Sequence, residues 1–154
     1  MHRLRVLQPF ALVIALFTTT LAACSSSSTD TTASLDLTGT WTATKYQFVS
    51  VNHVGTSLDL VAQGYSVTLV GTATAWTVTA LKNGALFDTE IGTYTATAST
   101  ITLTTTNHTN NTTTVFAASR NGSTLTMTNG TGTFDFGTGN GTEAVTLNVT
   151  LVKQ

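Results

Sequence analysis

The sequence predicts an all-β domain, an antiparallel meander of about eight to ten short strands, closed as a barrel or packed as a sandwich. Three observations carry this. From Leu37 onward apolar residues alternate with threonine at a period of two, the pattern of strands with one buried face. Asn-Gly pairs fall between the alternating runs, at Asn83-Gly84, Asn121-Gly122, Asn129-Gly130 and Asn140-Gly141. Both central residues of a type I′ turn need positive φ, which Asn and Gly tolerate best, so such pairs signal hairpins. Threonine makes up about a quarter of the chain and there is one proline, a balance that favours extended backbone.

The elements follow in order. "LTGTWTATKYQF" (Leu37 to Phe48) opens the domain, and "GTSLDLVAQG" (Gly55 to Gly64) is the least strand-like stretch, readable as a loop, a short helix or a lid across one end. "YSVTLV" sets Tyr65, Val67 and Leu69 on one face against Ser66 and Thr68. "AWTVTAL" does the same with Trp76, Val78 and Ala80. "YTATA" turns Tyr94, Ala96 and Ala98 one way, and "TITLTTT" does so with Ile101 and Leu103. A looser connection is expected around Asn107 to Asn111. "STLTMTN" aligns Leu125 with Met127, and "EAVTLNVTLV" aligns Val145, Leu147, Val149 and Leu151. The segments starting at Tyr94 and Phe116 share an aromatic start, a turn and an alternating finish, which reads as two successive hairpins.

Ahead of this domain, "MHRLR" is a short positive start, "FALVIALF" an uncharged apolar run, and "TTTLAA" a close of small residues. That is the layout of a secretory signal, and the run is too short for a comfortable membrane span. "LAAC", Leu21 to Cys24, holds the only cysteine and closely resembles the lipobox of bacterial lipoproteins. The resemblance implies cleavage before Cys24, a diacylglycerol on its thiol and acylation of the new amino terminus, so that a stable anchor tethers the protein to a membrane. Residues 1–23 are then a signal peptide, residues 24–36 the lipidated cysteine with a flexible Ser/Thr linker, and residues 37–154 the domain. The implied address is the bacterial cell envelope. Ser25 is not the aspartate that retains enterobacterial lipoproteins at the inner membrane, so the outer membrane is favoured.

Charge and composition exclude more than they assign. Without Arg3 and Arg5 of the leader, four basic residues face seven acidic ones, a net charge of −3, and no basic cluster exists to meet nucleic acid. One cysteine excludes an internal disulfide or a multi-cysteine metal site. His53 and His108 stand far apart in sequence and form no metal-ligand spacing, so neither metal nor cofactor is expected. Asp88 and Glu90 share one face of a strand. Such a pair can do acid–base work or bind calcium, but it reads first as a solvated strand edge that discourages pairing between molecules. No Gly-x-Ser-x-Gly elbow or phosphate loop is present, and the chain is expected not to be an enzyme.

Gly39-Thr40-Trp41 resembles the Gly-x-Trp opening of lipocalins and of bacterial lipocalin-like domains. The resemblance implies an up-and-down barrel with Gly39 and Trp41 starting its first strand. The tryptophan would plug the closed end beside a basic side chain from a late strand, for which Lys153 stands nearest. It also implies a monomer binding a small apolar ligand, with Trp76, Tyr94, Leu103 and Phe134 expected to line the interior. Ala43, Ala80, Ala96 and Ala98 are small inward residues that leave room for such a molecule. The alternative is an interaction lipoprotein with a filled core, acting through its threonine-rich outer surface.

Overall fold

The structure is a computed structural model that describes residues 33–107, 111–137, 139 and 141–154. Cys24, the expected signal segment, His108 and Asn140 lie outside the described residues.

Nine strands follow one another: β1 Gly39–Ser50, β2 Ser57–Asp59, β3 Tyr65–Gly71, β4 Ala75–Lys82, β5 Ala85–Ala96, β6 Thr100–Thr105, β7 Thr113–Asn121, β8 Thr124–Asp135 and β9 Thr142–Lys153. Every neighbouring pair is antiparallel, and β1 pairs with β9 from Trp41↔Lys153 to Ser50↔Val145. That last pairing closes the sheet, which makes the domain an eight-stranded up-and-down barrel rather than a sandwich. The short β2 lies beside the far half of β1, whose near half pairs with β3.

Positive φ shows where the turn chemistry acts. Asn83 (φ 53°) and Gly84 (φ 80°) form the two-residue β4–β5 turn that Asn-Gly predicts. Between β7 and β8 the turn residues are Gly122 and Ser123, with Asn121 paired to Thr124. Only Gly122 of these has positive φ (58°), the pattern of a type II′ turn, one residue later than expected. Asn129-Gly130 is no turn at all. It lies inside β8, where the register against β9 shifts between Met127 and Gly130 and Asn129 takes φ 60°, a β-bulge. Gly141 (φ 71°) falls in the longer β8–β9 connection, and its partner Asn140 lies outside the described residues.

The two ends of the barrel differ. At one end the connections β3–β4, β5–β6 and β7–β8 are short. Leu35 donates from its backbone to Thr97 (2.9 Å) and the Ser34 hydroxyl to the Ala96 carbonyl (2.8 Å), so residues 34–37 run across this end and close it. At the other end lie the 51–64 segment, the Asn83-Gly84 turn and the longer connections at 106–112 and 136–141. Residues 55–64 form β2 and turns instead of a helix. Asp59 pins them to β1 by accepting from the backbone N–H of Tyr46 (3.1 Å), and Leu60 is buried beneath. The dense core sits toward the closed end, around Trp41, Leu69, Ile101, Phe116, Leu125 and Leu151.

Candidate ligand-binding cavity

The closed end is built around Trp41, which has no solvent exposure and donates from Nε1 to the Leu37 carbonyl at 2.8 Å. Lys153 Nζ lies 5.4 Å from its ring centre and the Arg120 guanidinium 5.2 Å, so two cations flank the indole. Lys153 follows the expectation, while Arg120, from β7, is added by the fold. Glycine at 39 is favoured by its backbone, with φ at +111°, and an added Cβ, 2.9 Å from Lys153 Cε, would also displace the flexible end of Lys153. Tyr94 also belongs to this end: its hydroxyl lies 3.0 Å from the Thr72 carbonyl and accepts from Leu37 N–H at 3.3 Å.

Above the core, Trp76 and Leu103 border a narrow cleft of about 50 Å³. Trp76 packs across from Gly92, its cross-strand partner, and donates from Nε1 to the Thr93 carbonyl at 2.9 Å. Toward the open end the interior widens into a cavity of about 710 Å³. Side-chain size explains the change. The inward positions there carry Thr105, Thr114, Gly132 and Ala80 where the closed end carries rings and leucines. Leu60 covers part of it.

One wall of the cavity is aromatic. Phe48 stacks on Phe134 with ring centres 4.2 Å apart, Tyr46 meets Phe48 edge-on at 5.6 Å, and Phe136 meets Phe134 at 5.1 Å. A second aromatic contact, Tyr65 with Phe87 at 4.8 Å, stands where the β4–β5 register shifts after Ala80. Val145 and Leu147 complete the apolar wall between β8 and β1.

The opposite wall carries charge. Asp88 and Glu90 pair across the sheet with Ala80 and Val78, whose side chains face the interior, and both carboxylates line the cavity. The pair lies on a stretch of β5 laddered to β4 but not to β6, whose pairing begins at Gly92, and Asp88 is exposed, so the expected solvated strand edge also borders the cavity. Burial, and then the charges of Glu90 and Asp88, push the Tyr46 phenol above its ordinary range. It therefore remains protonated and able to donate at the junction of cleft and cavity.

At the rim the fold brings together a histidine and a carboxylate 90 residues apart, a proximity that spacing in sequence does not show. His53 Nδ1 lies 2.7 Å from Glu143 Oε2, and the Ser50 hydroxyl donates to the same oxygen at 2.6 Å. Ser50 Oγ in turn accepts from the backbone N–H groups of Asn52 and His53. The hydrogen bonds from Ser50 and then His53 hold the Glu143 carboxyl below the usual carboxylate range. In a nucleophilic relay the histidine stands between serine and carboxylate. Here the carboxylate stands between the other two, so the group is a latch fixing the start of the 51–56 loop to β9. Among the described residues no group of three or more His, Cys, Asp or Glu side chains could hold a metal ion. Among them, too, no helix is long and apolar enough to cross a membrane.

Compared with protein-family models, with curated proteins and with solved structures, the chain matches none. Of the residues expected to line the interior, Phe134 lines the wide cavity and Trp76 and Leu103 the cleft below it, whereas Tyr94 borders neither and braces the closed end. Sequence reasoning missed Tyr46, Phe48 and Leu60 as lining residues. The Asp-x-Glu pair and the Thr131-Gly132-Thr133-Phe134 run were the visible traces of the open half.

Proposed function

We propose that this chain is a lipid-anchored envelope lipoprotein whose barrel binds a small molecule with a substantial apolar part. One observation carries the reading: a barrel interior that is filled at one end and holds about 710 Å³ at the other, within the range of small-molecule sites. The lining suits that use, since aromatic and aliphatic side chains bury an apolar body while a few polar groups orient it. An interaction lipoprotein with a filled core draws support only from the closed half. The tether rests on Leu21 to Cys24 and its lipobox likeness. Residues 34–37 cross the closed end, so a tether reaching the barrel there leaves the mouth free.

Thermal unfolding of the chain made without residues 1–24, with and without lipophilic compounds, tests the binding. A ligand at about one hundred times its Kd stabilises by about 2.7 kcal/mol, and an upward shift of several degrees is expected. No shift with any apolar compound, and no displacement of a lipophilic fluorophore, would remove the reading. Fractionation tests the tether: Cys24→Ser is expected to move the protein out of the membrane fraction.

A further inference from the structure

The wide cavity meets the narrow cleft at a junction whose polar residues, bordering both spaces, are Tyr46, Glu90, Thr105 and Thr114. Thr114 donates its hydroxyl to the Thr131 carbonyl at 3.1 Å, and Glu90 has an interaction of its own. The Tyr46 phenol and the Thr105 hydroxyl differ from them, for neither finds a hydrogen-bond partner among the described residues. Every fully enclosed side-chain nitrogen and oxygen among those residues does have a partner, so these two oxygens reach open space. That space is the cavity. Tyr46 stands opposite the buried Val149 on an inward position, and Thr105, only 7% exposed, stands opposite Gly92. Their strands β1 and β6 lie four strands apart in either direction round the barrel, so the two oxygens come from opposite walls.

A hydroxyl left unpaired in a shielded, largely apolar setting costs stability unless water or a ligand oxygen completes it. The cleft below holds about 50 Å³, too little for a ligand's body, whereas the cavity above holds about 710 Å³. No lysine, arginine or histidine is among the described residues lining either space, so a carboxylate at the junction would be buried without a cation. A neutral oxygen carries no such cost. The phenol can donate to it, and the Thr105 hydroxyl can donate or accept. We infer that the cavity takes its ligand polar end first, a neutral carbonyl or hydroxyl oxygen held at the junction between Tyr46 and Thr105, with the apolar body above it against Phe48 and Phe134. This deepens the proposed ligand-binding role and rests on it. A ligand without the oxygen strips both hydroxyls of water and returns nothing, which makes the junction selective.

One flat apolar body with three different ends provides the test. 2-Acetylnaphthalene carries a ketone, 2-ethylnaphthalene lacks the oxygen and 2-naphthoate carries a carboxylate; each is titrated calorimetrically into the full chain near neutral pH. The ketone is expected to bind about tenfold tighter than the hydrocarbon, with the carboxylate weakest. Tyr46→Phe removes one oxygen and should weaken ketone binding about three- to tenfold. Hydrocarbon affinity should hold in that variant, which also certifies that it has folded. Thr105→Val, of the same shape as threonine, should lose part of the preference. Equal binding of ketone and hydrocarbon, tighter binding of the carboxylate, or a ketone preference surviving in Tyr46→Phe/Thr105→Val would overturn the inference. If the hydrocarbon also fails to bind and no lipophilic fluorophore is taken up, the ligand-binding role itself falls.

Discussion

The two halves of this barrel are built from the same eight strands and the same alternation, yet one is solid and the other hollow. Along β8, Leu125 and Met127 are buried in the core, whereas Gly132 and Phe134 line open space. Along β1, Trp41 is wholly buried, while Phe48 is only half-buried at the mouth. The difference teaches that binary patterning fixes which face is inside, but the size and charge of the inward residues decide whether that inside is core or site.

The sharpest way to break the comparison is at Trp41. Trp41→Ala removes the largest fully buried side chain, its bond to Leu37 and the face that Arg120 and Lys153 cover. A loss of about 3–5 kcal/mol is expected in urea unfolding. If the closed end were as loose as the mouth, the loss would be far smaller.

Two glycines on one strand give the next test. At Gly130 an added Cβ would run into the Phe116 ring, whereas at Gly132 it would meet only Val145 Cγ2, at 3.9 Å. Gly130→Ala is expected to cost about 1–3 kcal/mol by overpacking. Gly132→Ala, two residues nearer the mouth, should stay within about 0.5 kcal/mol of the parent. Equal effects in chemical denaturation would mean that the halves are packed alike.

The pair also shows what the sequence could convey. Alternation made the strands from Tyr65 to Leu151 legible, and Asn83-Gly84 announced its turn. Asn129-Gly130 carries the same dipeptide but sits in a bulge, because the ladder with β9 resumes at Gly130↔Leu147 and no hairpin is needed there. Bulges at Ala43/Lys45 and Ala80/Leu81 likewise re-phase β1 and β5, so simple counting cannot carry a face from one strand end to the other. On β5 the usual rule is inverted: Ile91 is 45% exposed while Asp88 and Glu90 face inward. This inversion lies beside the cavity, where period-two counting alone does not place the residues. The His53–Glu143 contact was illegible for a simpler reason, since only barrel closure through β1 and β9 joins them.

At the mouth the effects on stability shrink and those on binding grow. Phe134 is half-buried and stacks on Phe48. Phe134→Ala is expected to cost about 1 kcal/mol of stability, the scale of one aromatic pair. Its larger consequence is for binding, with about tenfold weaker displacement of the fluorophore as an aromatic anchor is removed. A variant that loses stability heavily but binds normally would reverse the roles assigned to the two halves.

The smallest expected effect is confined to acid. Glu143 has its carboxyl held below the ordinary value by Ser50 and His53, so the folded state favours the charged form. Its contribution is fully present above the ordinary glutamate pKa of about 4.3 and is lost as pH falls through the lower folded value. Glu143→Gln keeps an acceptor for the Ser50 hydroxyl but has no proton to take up. Parent and variant melting temperatures should therefore converge as pH is lowered from about 5 toward 3, the parent falling more steeply. Because the latch ties only the 51–56 loop to β9, local hydrogen exchange at Asn52 and His53 should respond more than global unfolding does. Parallel acid limbs would mean that the carboxylate is not preferentially charged in the folded state, and the rim would then be held by Ser50 and the backbone alone.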